Sequence, residues 1–393
     1  MRLARLQLDH FRSYTAAELV PDPGLTLIAG PNGAGKTNLL ESIWVTVSGR
    51  SHRTATDAEL VSHGAPLARV TLDLTGDDGP ATLELVLPGV EPTPGVRRRL
   101  SLNGIARRQT SVADTLRAVL FRPEEMLLLV GAPSERRRFL DAILAQRSRA
   151  TARDLADYAR VLAQRNALLR AIRAEEADPA VLPVWDEQLA IVGGRVLAAR
   201  TALVDDLAAR IGPLHDAVAP ADERGDRVEV AYLDSLKDAW PERDAPTRDP
   251  SRLDPDRLAT AIRRRLEEVR QKDIWNGMSL AGPHRDDIGV TLGGVPVAAH
   301  ASRGQQRTII VALKLAETDL LAEDDGPAPI VLLDDVFSEL DPERSERGLD
   351  LLRQRGQVLV TITDPGLLPA RHRHRVPVWT VGDGQLALAP RVA

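Results

Sequence analysis

A glycine-rich segment close to the beginning of the chain combines the residue types that bind phosphate. Residues 30–37 read GPNGAGKT and match the pattern G-x-x-x-x-G-K-[ST]. Glycines allow several backbone N–H groups to point at one phosphate chain, and the dipole of a following helix adds to the attraction. In this pattern Lys36 would reach the β- and γ-phosphates, and the Thr37 hydroxyl would bind Mg²⁺. The predicted nucleotide-binding residues are Gly30, Pro31, Asn32, Gly33, Ala34, Gly35, Lys36 and Thr37.

Two aspartates follow an apolar strand pattern near the other end of the chain. Residues 330–333 read IVLL and lead into Asp334 and Asp335. Phosphate-binding α/β folds hold Mg²⁺ with an acid at the carboxyl end of such a strand. We therefore predict that Asp334 binds the metal together with Thr37, and that Asp335 orients or deprotonates the attacking water. Two turn aspartates that merely close a strand are the alternative, which the glycine-rich segment makes the weaker one.

A third polar segment, 302–306 (SRGQQ), lies just before a helix pattern. Serine and glycine are ordinary N-cap residues, and taken alone that interpretation would prevail. However, Ser302 precedes the acidic strand by only one helix and one loop, so both should belong to one core. Helix N-terminal amides and a serine hydroxyl also form a good anion site.

The composition restricts the class of protein. The 393 residues are 43% hydrophobic and 27% charged, which predicts a globular chain of two or three domains. No run of about 18 apolar residues predicts a membrane span, and the N-terminus has no apolar signal region. The absence of cysteine excludes disulfides, thiolate metal sites and cysteine catalysis. A cytoplasmic protein is therefore expected.

Strand and helix patterns alternate at both ends of the chain, and the middle is helical. We predict an α/β core with a mixed sheet that includes antiparallel strands, and a helical second lobe inserted into it. The predicted boundaries are 1–116, 117–300 and 301–393. Strands are expected at 5–9, 25–29, 70–74, 83–87, 100–102, 330–333 and 358–362, and helices at 134–173, 186–210, 255–272 and 304–322.

Residues 302–306 resemble the LSGGQ-like signature of ABC-type ATPases, and residues 338–341 resemble their D-loop. The resemblance implies that two chains sandwich ATP, with Ser302, Gly304 and Gln305 acting on the nucleotide of the partner chain. These ATPases usually carry Glu after the metal-binding Asp and a switch histidine after the next strand. Asp335 and Thr363 stand at those places here, so Lys36, Asp335 and Thr363 are the predicted catalytic residues of a slow ATPase.

Five further segments match motifs of a known family. They are 10–14 (HFRSY), 49–54 (GRSHRT), 121–125 (FRPEE), 131–141 (GAPSERRRFLD) and 282–287 (GPHRDD). With these motifs the chain resembles the RecF family over nearly its whole length. The resemblance implies an ABC-type ATPase head that binds ATP, Mg²⁺ and DNA and dimerises on ATP. It also implies a weak, DNA-stimulated hydrolysis and a role in DNA replication, recombinational repair and the SOS response, with RecO and RecR partners that help to load recombinase at single-strand gaps.

Arginine clusters are the candidates for contact with DNA. At a net charge of −5, binding must come from a few arginines on one side, and we expect them to grip the backbone of duplex, gapped or junction DNA. Aromatic residues total 3%, so a base-stacking platform is not expected. The clusters are 97–99, 107–108, 136–138 and 371–375.

Other interpretations remain open from the residues alone. Residues 284–287 (HRDD) could form a metal or catalytic cluster, although a salt-bridged structural turn is favoured. The whole chain could be a transporter ATPase subunit, an SMC-like structural head without significant turnover, or, more remotely, a small-molecule kinase. Binding to DNA rather than to membrane vesicles, and phosphate release with and without DNA, would distinguish these.

Overall fold

The computed structural model describes residues 1–77, 79–91, 95–236, 239–240, 253–323, 326–338, 340–373, 376–382 and 384–389. The strands are β1 (Arg2–Phe11), β2 (Tyr14–Leu19), β3 (Leu25–Ala29), β4 (Leu67–Thr75), β5 (Ala81–Pro88), β6 (Arg99–Leu102), β7 (Ile105–Ala106), β8 (Ala118–Phe121), β9 (Val228–Leu233), β10 (Asp287–Leu292), β11 (Val295–Pro296), β12 (Ile330–Asp334), β13 (Val358–Ile362), β14 (Val378–Gly382) and β15 (Gln385–Leu388).

The α-helices are α1 (Lys36–Ser48), α2 (Leu127–Val130), α3 (Pro133–Arg147), α4 (Arg149–Arg173), α5 (Leu182–Val218), α6 (Pro255–Asn276), α7 (Val297–His300), α8 (Arg303–Glu323), α9 (Pro342–Arg353) and α10 (Ala370–Arg373). None of the helices in the described ranges is long and apolar enough to cross a membrane. The chain divides into two compact units. Unit 1 contains Met1–Glu125, Leu214–Arg224 and Arg307–Ala393, and unit 2 contains Met126–Pro213 and Gly225–Gln306.

Unit 1 contains an antiparallel sheet in the order β2-β1-β4-β5-β6-β7. Strands β4 and β5 bury alternate residues, so that Val70 pairs with Leu85 on the buried face. The predicted hairpin over 70–74 and 83–87 is therefore confirmed. The short hairpin at Asn103 and Gly104 is confirmed as well, and both residues have the positive φ that such a turn requires.

The second sheet of unit 1 positions the predicted site. Its order is β15-β14-β3-β13-β12-β8, and β13 pairs in parallel with β3 on one side and β12 on the other. Both β3 and β12 are buried along their full length, which explains why their sequences are apolar without alternation. Because parallel strands end at the same edge, the loop after β3 and the aspartates after β12 come close together.

Unit 2 contains helices α3, α4 and α6, the part of α5 up to Pro213, and a small antiparallel sheet in the order β11-β10-β9. The prediction of a single helix over 134–173 was wrong, because α3 ends before Ser148 and α4 begins after it. The Ser148 hydroxyl caps α4 by accepting from Thr151 N at 3.2 Å. The sheet was not predicted either. Its strands are short, and the partner that makes β10 a strand lies more than fifty residues away along the chain.

The two units differ from the predicted boundaries in three places. Residues 117–125 stay in unit 1 because β8 pairs with β12. Residues 214–224 return to unit 1, where Glu223 accepts from Thr308 Oγ1 at 2.8 Å and from Arg344 Nη2 at 2.5 Å. Residues 301–306 belong to unit 2. Contacts between distant segments of the chain decide the first two of these boundaries.

Candidate nucleotide-binding site

The loop between β3 and α1 has the backbone conformation of a phosphate cradle. Gly33 and Gly35 adopt φ of 81° and 110°, which side chains other than glycine rarely tolerate. A Cβ on Gly30 would lie 2.4 Å from the carbonyl oxygen of Val381, so that position also requires glycine. Tyr14 donates its hydroxyl proton to Gly35 O at 3.0 Å and braces the loop from β2.

The side chain of Lys36 folds back over this loop. Its ammonium group donates to Gly30 O at 2.7 Å and to Pro31 O at 2.9 Å. Burial lowers the pKa of Lys36, while the charges of Asp335 and Asp334 act in the opposite direction. The cation therefore sits at the mouth of the cradle, facing both acidic residues.

Two segments 297 residues apart in sequence meet at Thr37. Its hydroxyl donates to Asp334 Oδ1 at 3.0 Å, and Thr361 Oγ1 donates to the same oxygen at 2.6 Å. Sequence reasoning did not single out Thr361. The sequence indicates Thr361 only as a polar residue near the end of the apolar strand β13. A threonine is also an ordinary strand residue, so this indication was not specific.

Asp335 turns away from the strand direction immediately after Asp334. Its φ of 51° is left-handed, and its N–H donates to the carbonyl oxygen of Thr361 at 3.2 Å. Thr363 follows β13 at the same edge, where Gly30 N donates to Ile362 O at 3.2 Å. The predicted loop, metal-binding and catalytic residues of unit 1 thus converge on one edge of the parallel sheet. Their roles stay predictions.

The segment 302–306 forms a reciprocal cap at the start of α8. Ser302 Oγ accepts from Gln305 N at 3.2 Å, and Gln305 Oε1 accepts from Ser302 N at 2.9 Å. The ordinary capping interpretation of the serine is therefore correct for this conformation. It leaves the signature interpretation possible, since a hydroxyl that accepts one hydrogen bond can still donate its own proton. Ser302, Gly304 and Gln305 lie in unit 2, whereas Lys36 lies in unit 1.

The D-loop-like segment is tied to the acidic pair. Ser338 Oγ donates to Asp335 O at 2.6 Å, and Asp341 caps α9 by accepting from Arg344 N at 3.0 Å. Asp341 also forms an ion pair with Arg344, which lowers the pKa of its carboxyl group. Glu339 of this segment lies outside the described residues.

Segments 10–14 and 49–54, which were singled out only by the family resemblance, both contact helix α1. Arg12 forms a two-pronged ion pair with the buried Glu41, at 2.9 Å for both contacts. Ser51 Oγ donates to Glu41 at 2.6 Å, and Arg53 donates to Asn38 Oδ1 at 2.8 Å. The pKa of Glu41 is lowered, since these partners outweigh its burial. Residues 10–14 and 49–54 therefore hold the helix that carries Lys36.

Residues 284–287 form a buried structural turn in unit 2. Asp286 accepts from Tyr232 OH and Ser235 N, both at 2.8 Å. The Asp287 carboxylate pairs with Arg136 at 2.6 Å, and His284 contacts the Tyr158 hydroxyl at 2.7 Å. The favoured structural interpretation of these residues is confirmed, because their side chains are engaged within the unit. Arg285 is the exposed member.

The partly buried imidazole of His284 should make folding sensitive to pH. Burial lowers the pKa of His284 to about 4 from its ordinary 6.5. The unfolded chain would gain a proton below pH 6.5 that the folded chain takes up only near pH 4, so stability falls as pH drops through this window. Between pH 7 and 5 the wild type should lose about 2 kcal/mol more free energy of unfolding than His284→Gln, which keeps a donor toward Ser279 O. Urea unfolding measures this, and an equal pH dependence in both proteins would contradict it.

The structure separates the arginine clusters. Arg136 pairs with Asp287 and Arg137 donates to Asp286 O, so these two are engaged inside unit 2. Arg138 pairs with Glu135 at the surface, where its side chain is 74% exposed. Arg371 pairs with Glu346, and residues 374 and 375 lie outside the described ranges. In the cluster at 97–99, Arg98 pairs with Asp57 at 2.6 Å and Arg99 pairs with Glu84 at 3.0 Å. Arg98 and the cluster at 107–108 lie at the carboxyl end of α1. There Arg98 Nη2 donates to Gly49 O at 3.0 Å, and Gln109 Nε2 donates to Thr46 O at 2.9 Å.

Comparison with known proteins agrees with this geometry. The family described as the RecF/RecN/SMC N-terminal domain matches residues 2–376. The solved structure of the recombination mediator protein RecF-ATPrS in the RecFOR pathway has a TM-score of 0.86 at 26% identity, covering 99% of this chain and 98% of that one. An SMC head bound to the C-winged helix domain of ScpA shares the fold, with a TM-score of 0.55 at 15% identity, over 99% of this chain and 97% of that one. The fold and the site thus define an ABC-type ATPase head of the RecF/RecN/SMC class.

Relatives within that class are similar over their full length. The DNA replication and repair protein RecF of Kineococcus radiotolerans is 41% identical, over 96% of this chain and 98% of that protein. The corresponding protein of Frankia alni is 40% identical, over 94% of this chain and 95% of that protein. The chain therefore belongs to the RecF family of DNA replication and repair proteins, and the resemblance, the fold class and the recombination-repair function expected from sequence are confirmed.

Proposed function

We propose that this chain binds ATP and Mg²⁺ at the loop of residues 30–37 and hydrolyses ATP slowly. The contact of Thr37 with Asp334 carries the proposal, because it unites a hydroxyl and a carboxylate that both suit Mg²⁺. When bound, the metal would neutralise charge on the phosphates. Lys36 would release its two carbonyl contacts and bind the β- and γ-phosphates, and Asp335 would orient the attacking water.

ATP should also bring two copies of the chain together. The N-terminus of α8, with Ser302, Gly304 and Gln305, would contact the nucleotide held by Lys36 of the partner copy. Its exposed hydroxyl and first-turn amides suit a terminal phosphate. Asp335 is one methylene shorter than glutamate, and Thr363 cannot carry the charge of a histidine. We therefore expect a turnover well below about 1 s⁻¹, the low end of common enzyme rates.

DNA should bind through arginines at the carboxyl end of α1. Arg50, Arg107 and Arg108 are exposed near Gly49, on which the side chain of Gln109 packs. Lys36 lies at the opposite end of the same helix. DNA bound at the carboxyl end of α1 could therefore act on the loop of residues 30–37 through one rigid element. We expect backbone contacts to duplex, gapped or junction DNA and a weak stimulation of hydrolysis. In the cytoplasm the chain would act with RecO- and RecR-like mediators, because the similar solved structure is that of a recombination mediator protein in the RecFOR pathway.

Phosphate release with and without gapped duplex tests the proposal. DNA should raise the rate, and the double variant Arg107→Ala/Arg108→Ala should reduce this stimulation and lower the salt slope of DNA binding by about 2. The control is Arg5→Ala/Arg69→Ala, which removes the same charge from arginines that pair with Asp73 and Glu84. A rate unaffected by DNA, or DNA binding insensitive to salt between about 50 and 200 mM, would contradict the DNA part. No ATP-dependent phosphate release at all would favour a purely structural clamp.

A further inference from the structure

Unit 2 exposes an indole at the end of α6. Trp275 is 82% exposed, the most of the five tryptophans, and Met278 beside it is 44% exposed. We call indole surface the exposed group formed by these two residues and four neighbouring cations. The cations are Arg170, Arg173, Lys272 and Arg285.

The backbone under the indole surface is firmly held. Ile274, the residue before Trp275, packs against a buried cluster that includes Leu169 and Ile172. Asp273, completely buried, accepts from Arg165 Nη1 at 2.7 Å and from Leu280 N at 3.0 Å. The last turn of α6 therefore has a fixed orientation, with Asp273 buried, Ile274 partly buried and Trp275 exposed to solvent.

The cations converge on the residues that follow Trp275. Arg173 Nη1 donates to Asn276 O at 3.1 Å, and both Arg170 and Arg173 lie within van der Waals reach of Gly277. Arg285 donates to Ser279 O at 2.8 Å and lies 3.1 Å from the sulfur of Met278. Lys272 lies one turn before Trp275 on α6, so its side chain leaves from the same face.

These cations differ from most arginines of unit 2. In the part of the chain that the structure describes, no carboxylate forms an ion pair with any of the four, whereas Arg136, Arg165 and Arg200 all pair with aspartates. The acidic residues Glu175 and Glu176 begin two residues beyond Arg173, and Asp178 caps a turn by accepting from Ala180 N. The indole surface therefore offers positive charge around one accessible aromatic face.

We propose that the indole surface binds an unpaired base of single-stranded DNA, with the base stacked on Trp275 and the adjoining phosphates on the four cations. Stacking on an aromatic face needs no particular base, and guanidinium and ammonium groups supply the backbone contacts. A protein partner would be expected to bury a wider apolar area than Trp275 and Met278 provide. The proposal rests on the proposed DNA binding and adds the kind of DNA. It departs from the expectation, drawn from the low aromatic content, that the chain has no base-stacking platform.

The test compares Trp275→Leu, which keeps an apolar side chain, with Trp275→Phe, which keeps an aromatic face. The probes are an oligothymidine strand and a blunt duplex of the same length. Trp275→Leu should bind oligothymidine about tenfold more weakly, Trp275→Phe should retain most of the affinity, and both should bind the duplex like the wild type. Oligothymidine should also quench the tryptophan fluorescence of the wild type and quench that of Trp275→Phe much less. Val295→Ser, on an exposed strand residue of the same unit, is the matched control.

The outcomes separate this proposal from the proposed function. If the wild type binds the duplex but not oligothymidine, or if Trp275→Leu binds both strands normally, the indole surface is not a DNA site and the proposed function stands. If Trp275→Leu instead loses binding to a purified mediator protein while oligothymidine binding is unchanged, the surface serves a protein partner and the proposal is overturned. If the wild type binds neither DNA under any nucleotide condition, both proposals fail.

Discussion

Replacing Lys36 with methionine should reduce ATP hydrolysis by at least about 100-fold, the loss typical of removing one group that stabilises transferring charge. Among the residues that the structure describes, this ammonium group is the only lysine cation at the loop, where it lies 2.7 Å from Gly30 O and interacts with the charges of Asp334 and Asp335. Methionine has similar length and flexibility but no charge and no donor. Phosphate release and the binding of a fluorescent ATP analogue measure the effect.

Arg153→Met is the matched control, since it removes one positive charge from an exposed position on α4 in unit 2. It should hydrolyse ATP in the absence of DNA at the wild-type rate. Circular dichroism should show that both variants keep the helical content of the wild type. If Lys36→Met hydrolysed ATP within a factor of about three of the control, well short of the loss expected for such a group, the loop would not be the catalytic site.

If the N-terminus of α8 in each copy completes the nucleotide site of its partner, two inactive variants should recover ATP hydrolysis when they are mixed. Lys36→Met destroys the loop of its own chain, and Ser302→Arg blocks the N-terminus of α8 that the partner needs. Neither homodimer has a complete site, but a mixed dimer has one. Random pairing in an equal mixture should restore about a quarter of the wild-type rate, because half of the dimers are mixed and each has one of two sites.

Ser302→Thr is the control for this experiment, since threonine can still accept from Gln305 N and preserve the cap. Light scattering with ATP should show dimers for the wild type and for Ser302→Thr, and a much smaller dimer fraction for Ser302→Arg alone. A mixture as inactive as its two components, with dimers present, would place both halves of the site on one chain and overturn the trans arrangement.

Much of the site could be predicted because its residues are encoded locally. The loop of residues 30–37 needs glycines at fixed spacing for its φ values, and a lysine and a threonine directly after them, so a short pattern suffices. The strands β3, β12 and β13 are apolar without alternation because both faces are buried. Such runs identify parallel strands, and the aspartates at the end of β12 follow from them.

The partners of that site could not be read from the chain. Thr361, which donates to Asp334, looks like any strand threonine, and Glu41, buried beneath Arg12, looks like a helix glutamate on a solvated face. The small sheet of β9, β10 and β11 was missed for a related reason, since β10 needs β9 as a partner. The cap formed by Ser302 and Gln305 did have a local signal, which was a serine directly before a helix pattern. The resemblance to a signature segment was preferred over that interpretation.

Sequence alone was sufficient for the family, for the glycine conformations of the loop and for the acid at the end of β12, because those depend on residue type and spacing over a few positions. The exposure of Trp275, the pairing of Arg136 with Asp287 and the return of residues 214–224 to unit 1 depend on which distant segments pack together. Composition gives the number of aromatic and basic residues, but it does not tell whether they are buried, paired or exposed. Only the tertiary structure distinguishes the arginines that form ion pairs within the chain from those that stay exposed and unpaired among the described residues.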